Sequence, residues 1–151
     1  TISQLADFVL CSKSAYFVAP FMGLHFSAEG CSSYTFPRVL GPRISREVLL
    51  NDKKLSSEEA LKYNFVNNVY DDENFHEKVK EYAQNIAKHG SETLSTTKNL
   101  LVRHDKQILL ETNDIEIASI SRCFVSQQTK QALAGFVKQQ EQKRKQKAHK
   151  K

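Results

Sequence analysis

In "HFSAEGCSSYTFPRVLGP" (residues 25–42) the only acid is Glu29, set among Ala28, Gly30 and Cys31. A carboxylate held in apolar surroundings is suited to taking a proton from carbon and returning it, because lost solvation raises its proton affinity towards the working pH. Phe21, Met22, Leu24 and Phe26 are the neighbours in sequence that can supply such surroundings. A helix N-terminus near Glu29 opposes the shift by stabilising the charged form. Read without reference to any family, the same acid is simply a residue in the first turn of a surface helix.

Other reactive types form no constellation. Cys11, Cys31 and Cys123 are an odd set with no CxxC, which points to reduced, packed thiols rather than a disulfide framework or a zinc site. His25 and His104 lack ligand-spaced partners, so no metal site is expected. No His/Asn arrangement supports Cys31 as a nucleophile, and it reads as a packed thiol beside a pocket. Ser32 and Ser33 read as helix-packing or pocket-wall residues.

The elements around Glu29 fall into two regions. Residues 7–11 ("DFVLC") and 15–20 ("AYFVAP") are short β-branched or aromatic runs separated by "SKS". Ser27 is placed to cap a helix starting at Ala28 or Glu29 and running to about Phe36, where Pro37 would stop it. A second helix follows "LGP", from Arg43 to Leu50, carrying Val48, Leu49 and Leu50. Ser56 with Glu59 forms a capping-box signature, and Asn64 suits the left-handed end of that helix. "FVNNVY" (65–70) alternates like a strand.

Helical periodicity takes over from Glu73. Phe75, Val79, Tyr82 and Ile86 make one stripe, ended by Gly90. Leu94, Leu101 and Ile108 mark the next helix, then Ile117, Ile120 and Phe124, then Leu133, Phe136 and Val137. The resulting plan is an α/β part over 1–72, a helical region over 73–137 and a basic tail over 138–151. Two or three short strands cannot bury both faces of a sheet by themselves, so further strands are expected from elsewhere in a longer chain or from a partner subunit. The opening "TISQLADFVLCS", with no Met, signal peptide or presequence, fits the same expectation.

The chain has 151 residues, 40% of them apolar, which suffices for one ordinary domain. No run approaches the roughly 18 apolar residues that span a bilayer. The net charge of +5 is unevenly placed: seven of the 22 Lys and Arg, but one of the 17 Asp and Glu, fall in 138–151. The preceding residues carry 15 basic and 16 acidic groups, so the body is nearly neutral. A tail without interleaved aromatics reads as a solvated helix end and argues against nucleic acid as a partner.

"ADFVLCSKSAYFVAPFMGLHFSAEGCSSYTFPRVLG", followed by "LSSEEALKYNFVNNVY" and a helical tail, resembles the C-terminal half of the crotonase (enoyl-CoA hydratase/isomerase) superfamily. The group most resembled is the Δ3,Δ2-enoyl-CoA isomerases, of which "EGCSSYTFP" is nearly a signature. The likeness is strong from Asp7 to Tyr70 and rests mainly on periodicity in the helices. It implies an α/β fold, the C-terminal part of a crotonase-type ββα spiral followed by a helical trimerisation region.

The resemblance also assigns roles. The two positions that carry catalytic Glu residues in hydratases are Thr1 and Phe21 here, neither of which can take or give the required proton. The isomerase position, eight residues beyond Phe21, is Glu29. That pattern implies a one-base isomerase that shifts a 3-enoyl-CoA to trans-2-enoyl-CoA in unsaturated fatty-acid β-oxidation. Phe21, Met22, Leu24, Phe26 and Cys31 would contact the acyl-CoA, and Phe136 and Lys138 its coenzyme A part, with Lys143 and Arg144 in the same basic stretch and Arg38 and Lys53 as weaker candidates. No cofactor is implied beyond the coenzyme A of the substrate, and the expected assembly is a homotrimer or a dimer of trimers. The family's oxyanion-hole donors come from loops in its N-terminal half, so this stretch resembles half an active site, inactive by itself. Peroxisome and mitochondrion are both implied, although "HKK" is not an S-K-L-type ending. The alternatives are a dienoyl-CoA isomerase, disfavoured by Thr1 and Phe21, and a non-catalytic crotonase-like acyl-CoA-binding or protein- or RNA-interaction module, which has no need of Glu29.

Overall fold

The computed structural model describes residues 1–148, apart from the side chains of residues 140, 143, 144, 147 and 148. The side chains of Lys143 and Arg144, and the "HKK" end, therefore lie outside the described part. A single 3-10 turn (Ile2–Leu5) leads into two short strands, β1 (Leu10–Ser12) and β2 (Tyr16–Phe17). Although adjacent in sequence, they pair with different partners. β1 lies parallel to β4 (Asn68–Tyr70), with Leu10 opposite Asn68, and β2 lies antiparallel to β3 (Leu55–Ser56), with Tyr16 opposite Ser56. A parallel pair requires a long crossover. Here α1 (Ser32–Leu50) and α2 (Ser57–Lys62) supply it. Asn67 locks the closing end: its side-chain oxygen accepts from the Val9 N–H at 2.7 Å, and its own N–H donates to the Val9 carbonyl at 2.7 Å.

The core fills the space between the crossover and the strands. Phe36, Leu40 and Val48 of α1 meet Cys11, Leu55, Ala60, Phe65 and Val66, all buried. Phe65 takes Phe17 and Phe36 edge-on, at 5.2 and 5.1 Å between ring centroids, the arrangement that aromatic quadrupoles favour. Burying each such side chain contributes about 1.5–3 kcal/mol. One side of the strand layer stays open, with Phe8, Tyr16 and Val18 all more than 40% exposed.

Several local expectations hold. Ser56 and Glu59 form both halves of a capping box at α2, and Asn64 takes the left-handed conformation (φ 59°) beyond its end. Phe75, Val79, Tyr82 and Ile86 are half-buried along α3 (Phe75–Ala87), as their spacing requires. Tyr82 packs edge-on against Phe8 at 5.5 Å, which ties this helix to the chain entering β1.

Four expectations are corrected. The helix after Glu29 begins at Ser32, not at Ala28 or Glu29, because Gly30 (φ 65°) and Cys31 (φ 61°) are both left-handed and cannot start a helix. Ser27 caps nothing, and its hydroxyl is buried without a hydrogen-bond partner among the described residues. Pro37 does not end the helix either: one missing donor is tolerated, and the break comes at Gly41 (φ 75°). Pro42 then opens the second half, where an absent N–H costs nothing. Finally, Leu94 and Leu101 lie on α4 (Ser91–Val102), whereas Ile108 belongs to α5 (Asp105–Phe124) with Ile117, Ile120 and Phe124. The last helix, α6, spans Gln127–Ala148. Among the described residues no helix is long and apolar enough to cross a membrane.

Candidate active site

Glu29 sits half-buried in the loop between the turn at residues 21–25 and the start of α1. Its Oε1 accepts the Thr1 hydroxyl at 2.8 Å, which leaves Oε2 without a hydrogen-bond donor among the described residues. Gly30 makes this approach possible: a Cβ there would stand 2.6 Å from Thr1 Oγ1 and 3.0 Å from Thr1 Cβ. The Glu29 carbonyl closes the first turn of α1, accepting from the Ser32 hydroxyl at 2.7 Å and the Ser32 N–H at 3.3 Å. The carboxylate is thus fixed at both its backbone and one oxygen. Its free oxygen can hold or pass a single proton.

The loop is held from both sides. Asp52, just past α1, accepts the Met22 and Gly23 N–H groups at 3.0 and 2.6 Å. From the C-terminal helices, Thr129, fully buried, donates its hydroxyl to the His25 carbonyl at 3.0 Å. Phe124 packs on Phe26 at 4.8 Å. Further down α5, Glu116 accepts the Cys31 N–H at 2.6 Å, the Ser33 N–H at 2.9 Å and the Ser33 hydroxyl at 2.5 Å. The Cys31 Sγ donates to the Leu109 carbonyl at 3.4 Å, and Tyr34 donates its hydroxyl to Asp105 at 2.6 Å. Contacts running down from 129 to 105 meet residues running up from 25 to 34, so the helical region clamps the loop along its whole length.

The structure separates the sequence-derived candidates. Phe21, only 6% exposed, belongs to the core, with Phe26 packed against it. Cys31 is buried, and burial first, then the carboxylates of Glu116 and Glu29, push its thiol above the ordinary value. That holds sulfur in its protonated, unreactive form. Met22 opens onto an apolar cavity of about 430 Å³ shared with Ala28, Pro37 and Leu49. Leu24 and Phe136 line a separate cavity of about 210 Å³ between the turn and α6. Lys138 is exposed at neither cavity. Arg38 stacks on the Tyr34 ring at 3.4 Å, and Lys53 pairs with Glu47 at 3.0 Å. Among the described residues no group of His, Cys, Asp and Glu could hold a metal ion.

Glu116, Thr129 and Asp52 are the residues that sequence reasoning missed. Glu116 shares a helical face with Ile120 and Phe124 at spacings of four, and that face turns inward. Ile117, read from the sequence as part of the apolar stripe, is 52% exposed, while the acid beside it is 5% exposed. Period alone favoured the isoleucine.

Comparison with known proteins places this arrangement in a family. Residues 1–147 match the family described as enoyl-CoA hydratase/isomerase. Enoyl-CoA delta isomerase 3, peroxisomal, of Mus musculus is 32% identical over 91% of this chain and 43% of its own length. Chromodomain Y-like protein 2 of Mus musculus is 28% identical over 91% of this chain and 27% of its own. The crystal structure of an enoyl-CoA hydratase/isomerase from Pseudoalteromonas atlantica T6c superposes with a TM-score of 0.86, at 24% identity, over 90% of this chain and 55% of that one. The chain spans less than half the length of the curated relatives it matches. With the crotonase fold and the match over nearly every residue, the chain belongs to the enoyl-CoA hydratase/isomerase family.

Proposed function

We propose that the protein containing this chain is a Δ3,Δ2-enoyl-CoA isomerase in which Glu29 is the only proton-transferring base. The observation that carries this reading is the Thr1–Glu29 hydrogen bond of 2.8 Å. Of the two positions that the resemblance assigns to hydratase carboxylates, one holds a hydroxyl that donates to Glu29, and the other, Phe21, is buried in the core. A second acid–base group for adding water is absent from both. One carboxylate with one open oxygen suits a proton shuttle instead.

The chemistry follows from the substrate. In a 3-enoyl-CoA the C2 proton is acidified by the thioester and by the neighbouring double bond, both of which stabilise the carbanion. Glu29 Oε2 takes that proton, the electron pair spreads into a dienolate, and the same carboxyl returns the proton at C4. The double bond moves to C2 and conjugates with the thioester. The charge on the thioester oxygen needs preorganised N–H donors, typically worth a few kcal/mol. The resemblance assigns these to the N-terminal half of the family's fold.

The acyl-CoA is the substrate that the family's name implies, and the apolar cavity at Met22 and Ala28, beside Glu29 in sequence, suits an acyl chain. Leu101, Leu110, Ile115, Ile117 and Val125, all more than half exposed, support burial of α4 and α5 in a homotrimer. The likeness to a relative named as peroxisomal supports that compartment over the mitochondrion.

The test is isomerisation of a cis-3-enoyl-CoA by the whole protein, wild type against Glu29→Gln. Loss of turnover by orders of magnitude with acyl-CoA binding retained supports the reading. An inactive wild type that still binds acyl-CoA favours a non-catalytic module instead.

A further inference from the structure

The geometry points to Glu116 as a positioning residue for Glu29, an inference that rests on the reading of Glu29 as the base. Three observations meet at this side chain. First, it is an acid only 5% exposed, on a helix whose adjacent isoleucines, Ile115 and Ile117, are 68% and 52% exposed. Burying a carboxylate in preference to two apolar neighbours is costly unless it is hydrogen-bonded, and both of its oxygens are. Second, its three donors all come from the start of α1, 83 and 85 residues away in sequence: the Cys31 N–H, the Ser33 N–H and the Ser33 hydroxyl. Third, the helix it serves has no cap of its own. The N-cap residue is Cys31, which makes no side-chain cap hydrogen bond and sits at φ 61°.

A non-glycine residue in the left-handed region is strained and persists only where its surroundings over-determine it. Here the surroundings are Glu116. Its carboxylate satisfies the orphan N–H groups of the helix terminus and places negative charge at the positive end of the dipole. By holding Cys31 left-handed it sets where α1 begins. The residue immediately outside that beginning is Gly30, and before it Glu29, whose carbonyl closes the first turn through Ser32. Removing the Glu116 anchor frees the α1 entry to wind back towards the ordinary cap at Ser27, which would draw Glu29 into the helix and away from Thr1. Glu116 makes no hydrogen bond to Glu29 among the described residues. It acts through Cys31 and Ser33.

The experiment is a double-mutant cycle in the whole protein, with Glu116→Gln, Glu29→Gln and both together, assayed on a cis-3-enoyl-CoA. Gln keeps the shape of Glu116 but turns one of its two acceptors into a donor facing donors. Glu116→Gln is expected to lower kcat about tenfold or more at unchanged KM, since small misplacements of a reacting group cost up to about 10²-fold. In the Glu29→Gln background the same change is expected to lower the residual rate no further, because its whole effect passes through the base. Should Glu116→Gln fail to fold, Ser33→Ala removes one of the three hydrogen bonds and is expected to lower kcat severalfold, with no further loss in the Glu29→Gln background.

A wild-type kcat in the variant that folds, while Glu29→Gln is inactive, overturns the positioning role and leaves the base assignment intact. A loss that multiplies onto Glu29→Gln also overturns it, since a merely structural role behaves that way. If Glu29→Gln turns over like wild type, the assignment of the base is what has failed, and the positioning role falls with it.

Discussion

Thr1 Oγ1 stands 2.8 Å from Glu29 Oε1, and a Cβ on Gly30 would stand 2.6 Å from that same hydroxyl. The hydroxyl that orients the acid is therefore admitted by the glycine that follows the acid. The acid and the glycine stand side by side as Glu29-Gly30.

Gly30→Ala is accordingly expected to break the Thr1–Glu29 hydrogen bond. The left-handed backbone (φ 65°) alone costs an alanine roughly 1–2 kcal/mol, and the contact with Thr1 adds to it. A urea midpoint shifted by that amount or more, with turnover in the assay of the proposed isomerase activity falling further than the folded fraction, is the anticipated result. A midpoint within error of wild type would show that the loop has room the structure does not display.

Glu59 provides an acid-side prediction. The Ser56 N–H donates to its carboxylate at 3.1 Å, and this first, then Lys53, holds Glu59 below its ordinary value of 4.5. Because the folded state then binds the proton less readily than the unfolded state, the stabilisation is present above the ordinary value and is lost as pH falls through the lowered one. The stability gap between wild type and Glu59→Ala should be open at pH 7 and narrow below pH 4.5. A gap that widens on acidification contradicts the capping role.

The cysteines provide an alkaline one. Burial raises both Cys11 and Cys31 above the ordinary 9.0, so folded protein keeps these protons where unfolded chain has lost them. Stability should therefore fall as pH rises beyond 9.0, and Cys31→Ala should flatten that fall. In mapped alkylation at pH 8, Cys123, the partly exposed thiol, should react before the buried Cys11 and Cys31. Fast labelling of Cys31 would mean that the start of α1 opens readily.

Two phenylalanines separate core from clamp. Phe36 is 2% exposed and meets Phe65 edge-on, so Phe36→Ala should cost about 3–5 kcal/mol. Phe124 is 51% exposed but packs tilted against Phe26, so Phe124→Ala should cost only about 1–2 kcal/mol. Amide exchange should nonetheless quicken across residues 25–31 in Phe124→Ala, because the clamp has lost one of its contacts. Unchanged exchange there would remove Phe124 from the clamp.

What the sequence by itself determined was local. The capping box at Ser56, the left-handed Asn64, the stripe from Phe75 to Ile86 and the resemblance centred on "EGCSSYTFP" all depend on residues within a few turns of one another, where spacing reads directly as geometry. Glu29 was legible as the candidate acid for the same reason. Where its helix begins was not. Local propensity favoured Ser27 as the cap, but the start moved to Ser32 because a carboxylate 85 residues further along accepts the Cys31 N–H. The partners of Glu29, His25 and Val9 lie 28, 104 and 58 residues away. No period or motif encodes such pairs. The packing of α6 against the loop brings Thr129 to His25, the close approach of Thr1 to Gly30 brings its hydroxyl to Glu29, and the pairing of β1 with β4 sets Asn67 beside Val9, since a buried donor or acceptor takes whichever partner the tertiary fold leaves within reach.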